Sequence, residues 1–192
     1  MLKNSYQDQL LEAGCDEAGR GCLAGSVFGA SVILPPDFYD PKLNDSKQVS
    51  AKQRERLRRL IEAEAVAWGV AEVTAEQIDQ INILRAAHLS MSNAVRQLKV
   101  QPELLLIDGN LFYSDLETPH QCVVGGDALY TSIAAASILA KCHRDEYIIE
   151  LSQQYPHYDW QSNKGYPTAK HRRAIEEYGL TPHHRLTFGK KR

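Results

Sequence analysis

The stretch LLEAGCDEAGRGCLAGSVFGASVIL, residues 10–34, holds two apolar runs parted by a glycine-rich turn. Leu10–Asp16 and Gly25–Leu34 are predicted strands. The second is nearly continuous in apolar residues, the pattern of a central strand covered on both faces. Pro35-Pro36 stops it. Between the strands lie Asp16, Glu17 and Gly19-Arg20-Gly21. Carboxylates thus stand at a strand end, followed by residues small enough to admit a ligand to the backbone.

Working outward, strands and helices interleave. Ser50–Ala65 is a predicted helix, with a capping box from Ser50 and Gln53 and a buried stripe of Leu57, Leu60 and Ile61. Residues 66–73 alternate as a strand. Thr74 and Gln77 form a second capping box for a short helix over 75–80, and 82–98 continues as a longer one. Leu104–Ile107 is a short buried strand ending at Asp108-Gly109. Gln121–Val124 is another, ending at Gly125-Gly126-Asp127. A long helix is expected over Thr131–Tyr155. Its first turns carry Ser132, Ala134, Ala135, Ala136 and Ser137, a face without bulk on which neighbouring backbone can pack closely. Pro156–Pro167 reads as a loop. Thr168 caps a final helix to about Tyr178, stopped by Gly179. The alternation gives an α/β class.

With 192 residues, 43% hydrophobic and 24% charged, the chain suits one folded domain and excludes intrinsic disorder. No apolar run approaches the roughly 20 residues of a spanning helix. MLKNSYQDQL lacks the apolar core of a secretion signal, so a cytoplasmic location is expected. Cys15, Cys22, Cys122 and Cys142 have no zinc-ligand spacing; reduced thiols are expected, and no zinc. The net charge of -2 hides an asymmetry. Residues 1–163 carry 14 basic and 22 acidic side chains, and residues 164–192 carry 8 and 2. Lys47–Arg59 adds six Lys/Arg against one Glu. On charge alone, these patches read as solvated faces and a solubilising tail.

Asp16, Glu17, Asp108 and Asp127 all sit where strands end, which is where ligands gather in α/β sheets. Clustered carboxylates repel one another, and a hard divalent cation such as Mg²⁺ relieves that repulsion. One geometric difficulty attends Asp16 and Glu17: neighbours on a regular strand face opposite ways. Either the strand breaks there, with Gly14 and Gly19 permitting it, or Glu17 reaches round.

Gly14-Cys15-Asp16-Glu17-Ala18-Gly19-Arg20-Gly21 resembles the N-terminal signature of type 2 ribonuclease H. Further segments match in the family's order: Asn44-Asp45-Ser46-Lys47, Leu106–Asn110, Gly126-Asp127 with Ser132–Lys141, Asn163–Thr168, and His184-Arg185. The resemblance implies a ribonuclease H-like fold: a mixed five-stranded sheet flanked by helices. It implies a single catalytic domain over 1–192, with the helical, basic segment of about 156–192 packed on it. It implies Mg²⁺- or Mn²⁺-dependent hydrolysis of the RNA strand of RNA–DNA hybrids, with two ions during catalysis. Incision 5′ of single ribonucleotides in duplex DNA is implied as well, leaving 3′-hydroxyl and 5′-phosphate ends. Asp16, Glu17, Asp108 and Asp127 then take the roles of metal-binding catalytic acids. Gly19, Arg20 and Gly21 take the ribose 2′-hydroxyl, and Tyr166 lies against the sugar. Gly125 stands where many members carry Lys.

Double-helical substrate is held mostly through phosphates, and Lys47, Lys164, Lys170, Arg172 and Arg173 are candidates for that contact. Asp145 reads as an ion-pair partner, and His171, His183 and His184 as structural or solvent-facing. The expected partners are RNA–DNA hybrid and ribonucleotide-containing duplex DNA, with no membrane; a monomer is expected. Two rival readings stay open: a metal nuclease of the same fold class with other substrates, and a duplex-binding module whose acids form only salt bridges.

Overall fold

The computed structural model describes residues 2–44, 46 and 49–188. Lys47, a candidate phosphate contact, lies outside the described residues, as do Asp45 and the last four positions.

Two strands from the opening stretch sit at the centre of the sheet. β1 spans Glu12–Ala18 and β2 spans Val27–Ile33, every residue of β2 being buried. β3 (Ala67–Val73), β4 (Leu104–Asp108) and β5 (His120–Val123) complete a five-stranded sheet in the order β3-β2-β1-β4-β5. β1 and β2 pair antiparallel, as do β2 and β3, whereas β1–β4 and β4–β5 are parallel. This is the expected mixed sheet.

The helices are α1 (Ala51–Glu64), α2 (Ala75–Ile81), α3 (Ile83–Arg96), α4 (Thr131–Gln154), α5 (Trp160–Asn163) and α6 (Ala169–Tyr178). At Thr74 both halves of the capping box form. At Ser50 the hydroxyl accepts from Gln53 N at 3.3 Å, and among the described residues the return bond is not made. The expected loop Pro156–Pro167 in fact contains a 3-10 turn at Pro156–Tyr158 and the short helix α5. Stacking of Tyr158 on Trp160, with ring centroids 5.2 Å apart, favours that helical path. Among the described residues no helix is long and apolar enough to cross a membrane.

The sheet divides the core into two layers. On one side Ala30, Val32, Leu57 and Ile61 pack with Ala134–Ala136 and Ile138–Ala140 of α4. On the other, Ala13, Cys15, Ile33, Leu105 and Ile107 pack with Met91 and Val95 of α3. The small-residue face of α4 lies almost in contact with β1. A Cβ on Gly14 would fall 2.2 Å from the backbone carbon of Ser132. That approach brings the first turns of α4 over the strand carrying Asp16.

Candidate active site

The register of β1 against β4 builds the site. Their parallel ladder runs from Glu12↔Leu104 to Cys15↔Ile107 and stops. The next residues are Asp16 and Asp108. β1 carries on beside β2 as far as Ala18↔Phe28, and β4 beside β5 as far as Asp108↔Val123. β1 and β4 therefore part at the acids, at their C-terminal ends, which is where ligands gather in open α/β sheets.

β1 does not break at Asp16, which corrects one of the two sequence expectations. Asp16 and Glu17 stay within a regular strand and leave it on opposite faces. Asp16 is buried beside α4, whose Ser137 hydroxyl lies 2.9 Å from Ser46 Oγ and acts on the Asp16 carboxyl, favouring its charged form. Its Oδ1 also accepts from Glu17 N at 2.7 Å. Burial pushes its carboxyl well above the usual carboxylate range, and the charges of Glu17 and Asp108 push the same way. Glu17 holds the Arg20 guanidinium at 3.1 Å.

Asp108 Oδ1 accepts from Gly126 N at 2.8 Å. This bond ties the end of β4 to the 3-10 turn Gly126–Ala128, in which Asp127 is buried. Gly125 enters that turn at φ +66°, a left-handed conformation that suits glycine. The structure thus sets Glu17 and Asp108 within electrostatic reach of Asp16 and places Asp127 one residue beyond the atom that Asp108 holds.

The segment after β1 is pinned from two sides by buried arginines. Arg185 donates to Gly19 O at 2.8 Å and Arg20 O at 2.9 Å, and twice to Gly25 O at 2.8 and 3.0 Å. Burial pulls its guanidinium down to about 10. Arg144, on α4, donates to Lys164 O at 2.9 Å and Ala24 O at 3.3 Å. Gly19 has φ +100°, and a Cβ there would lie 2.0 Å from Arg144 Nε.

The loop carrying Lys164 and Tyr166 is laced onto the same segment. Leu23 N donates to Gly165 O at 2.8 Å, and the Cys22 thiol to Lys164 O at 3.6 Å. The partly exposed Tyr166 ring lies 3.8 Å from where a Gly21 Cβ would be. Gly19, Arg20, Gly21, Lys164 and Tyr166 therefore form one surface beside the acids. Lys164 Nζ donates to Gln161 O, and burial pulls its ammonium below the usual value.

The basic stretch of α1 is largely spent on partners within the chain. Arg56 pairs with Asp40 at 2.6 Å, Arg58 with Glu62 and Glu146 at 2.9 Å, and Arg59 with Glu55 at 3.0 Å. Asp145 holds Lys141 at 2.6 Å, as an ion-pair partner should. His171 and His184 are buried. All four cysteines are free thiols. Arg144, Arg185 and Ser137 were given no role by the sequence reading. For Arg185 and Ser137 the available signals were the His184-Arg185 and Ser132–Lys141 motifs; Arg144 gave none, because an arginine on a helix does not announce its burial.

Among the described residues, no three His, Cys, Asp or Glu side chains stand gathered as a metal-ligand set. The donor chemistry nonetheless fits a hard divalent ion. The strand ends offer carboxylate oxygens, and Asp16 is a buried acid whose charge is opposed by its neighbours.

Residues 13–191 match the family Ribonuclease HII. A ribonuclease HII of Phocaeicola vulgatus is 61% identical over 188 residues, covering 98% of this chain and 94% of that one. Among solved structures, ribonuclease H2 of Pyrococcus horikoshii OT3 superposes with a TM-score of 0.76 at 26% identity, covering 93% of each chain. Bst-RNase HIII, solved in complex with Mn²⁺, shares the fold with a TM-score of 0.75 at 20% identity, over 93% of this chain and 67% of that one. With strand-end acids, a mixed five-stranded sheet and a near full-length match, the chain belongs to the ribonuclease HII family of metal-dependent endoribonucleases, which degrade the RNA of RNA–DNA hybrids.

Proposed function

We propose that this endonuclease incises 5′ of single ribonucleotides embedded in duplex DNA as well as cutting hybrids, and that Asp16, Glu17, Asp108 and Asp127 are its catalytic acids. The observation that carries the reading is the end of the β1–β4 ladder at Cys15↔Ile107, after which Asp16 and Asp108 follow on neighbouring strands as those strands part. Those two acids with Glu17 and Asp127 would hold Mg²⁺ or Mn²⁺, two ions in our reading. When bound, such ions polarise the scissile phosphate and help to neutralise charge on the leaving oxygen.

The chain's own residues do the selecting. The 2′-hydroxyl is the group by which a protein tells RNA from DNA. The Gly19–Gly21 turn exposes main chain beside the acids, and Arg185 fixes its carbonyls. Tyr166 lies against Gly21 with part of its ring open to solvent, in position to pack on a sugar. Arg20 and Lys164 supply positive charge at the rim, and Lys170, Arg172 and Arg173 extend it along α6. In this reading the chain acts as one catalytic domain, with the C-terminal helical segment from about residue 156 packed on it.

The test is a panel of all-DNA, all-RNA, hybrid and single-ribonucleotide duplexes, each with Mg²⁺, with Mn²⁺ and with EDTA. Cutting of the hybrid and of the single-ribonucleotide duplex on its 5′ side, only with metal, is expected. Hybrid cleavage without single-ribonucleotide incision would refute the finer reading. Duplex binding without turnover in either metal would favour a binding module.

A further inference from the structure

His171 and His184 lie in a buried hydrogen-bond chain that leaves no choice of tautomer. His184 Nδ1 is 2.9 Å from Thr181 N, a backbone donor, so Nδ1 accepts and the proton sits on Nε2. His184 Nε2 is 3.1 Å from His171 Nε2 and donates to it. Trp160 Nε1 donates to the same His171 nitrogen at 3.0 Å. The His171 proton is therefore on Nδ1, which donates to Tyr166 O at 2.9 Å. Each ring has one donor and one acceptor nitrogen, and every one of them is used. Both side chains are essentially closed to solvent, at 0% and 2% exposure.

The two ends of this chain reach the two segments that read the substrate. At one end His171 holds the main chain of Tyr166. At the other, His184 forms a β-bridge with Ala24, and the next residue, Arg185, holds Gly19 O and Arg20 O. We propose that His171 and His184 are a pair of positioning residues that set Tyr166 and the Gly19–Gly21 turn at a fixed separation, so that one ribose is read by both. The inference rests on the reading of Tyr166 and Gly19–Gly21 given above, and it assigns no contact with substrate to either histidine.

The test compares His171→Asn with His171→Gln. The Asn amide falls near the Nδ1 position and keeps a donor for Tyr166 O; the Gln amide falls near Nε2 and does not. The readout is the ratio of kcat/KM on a single-ribonucleotide duplex to that on an RNA–DNA hybrid. His171→Asn is expected to keep the ratio within about twofold, and His171→Gln to lower it about tenfold, the order that loss of one buried hydrogen bond gives. A fall in Tm with an unmoved ratio in the Gln variant, or an equal fall in both ratios, overturns the proposal.

Nitrogen-15 NMR of the unsubstituted protein provides a measurement that needs no variant to fold. His171 protonated at Nδ1 and His184 at Nε2 are expected, and any other tautomer pair defeats the proposal. Tyr166→Ala is measured alongside. An unchanged ratio there removes the reading of Tyr166 together with this inference. A lowered ratio there, with none in His171→Gln, removes the inference alone.

Discussion

Asp108 shows how little separates a turn carboxylate from a site residue. One hydrogen bond to Gly126 N fixes its rotamer and joins β4 to the segment of Asp127. Asp108→Asn keeps an oxygen for that bond and removes the charge. Cleavage is expected to fall by at least about 100-fold in either metal. Duplex affinity, followed by fluorescence anisotropy, should hold. Retained turnover would remove Asp108 from the catalytic set. Gly19 makes the opposite case, in which the backbone is what matters. Its φ of +100° and the Arg144 side chain occupying its Cβ position both exclude a larger residue. Gly19→Ala should cost about 1–3 kcal/mol in urea unfolding. It should also lower activity, because the turn cannot keep its shape.

Between elements, the contact of α4 with β1 is decisive. A methyl group on Gly14 would overlap the α4 backbone, so Gly14→Ala has to push the helix off the strand. Overpacking of this kind costs about 1–3 kcal/mol. Asp16 stands on the same strand beneath the same helix, so activity should fall by more than the loss of folded protein explains. Comparison of Tm with turnover per folded molecule checks this; matching losses would show that the contact serves stability alone. On the α3 side of the sheet, the apolar packing around Met91 and Val95 serves the fold.

Across the whole molecule, the carboxyl-terminal segment closes over the first turn of the chain, and its histidines make that closure sensitive to acid. Burial pulls His184 down to about 4, and the nearby His171 and His183 imidazoles add to the effect. His171 and His183 are lowered in the same direction by burial. In the unfolded chain these rings take up protons near 6.5. Between that value and the folded one, the unfolded state binds more protons, so stability falls as pH falls. It should be complete above about pH 7 and decline from about 6.5 toward 4, with His184 alone contributing on the order of 3 kcal/mol. The raised Asp16 carboxyl works in the opposite sense over the same range, so urea midpoints of Asp16→Asn at pH 7.5, 6 and 5 check the trend. A flat profile in that variant would show that the imidazoles are solvated.

Local patterning in the chain determined the element order, the strands from β1 to β5, the cap at Thr74 and the strand-end placement of the acids. Periodicity and capping act over a few residues and are written in neighbouring side chains. The family resemblance also implied substrate roles for Gly19–Gly21 and Tyr166, and charge marked Lys164 as a candidate phosphate contact. Tertiary structure alone decided three matters. Asp16 and Glu17 remain in an unbroken strand, because β2 keeps pairing with β1 after β4 has left it. The helical turns at 156–163 form because Tyr158 and Trp160 stack there. Arg144, Arg185, His171 and His184 become buried fasteners, because partners 5 to 166 residues away in sequence meet them with carbonyl and ring atoms. Burial of a polar group depends on who surrounds it, and that is a property of the packed chain rather than of any window of sequence.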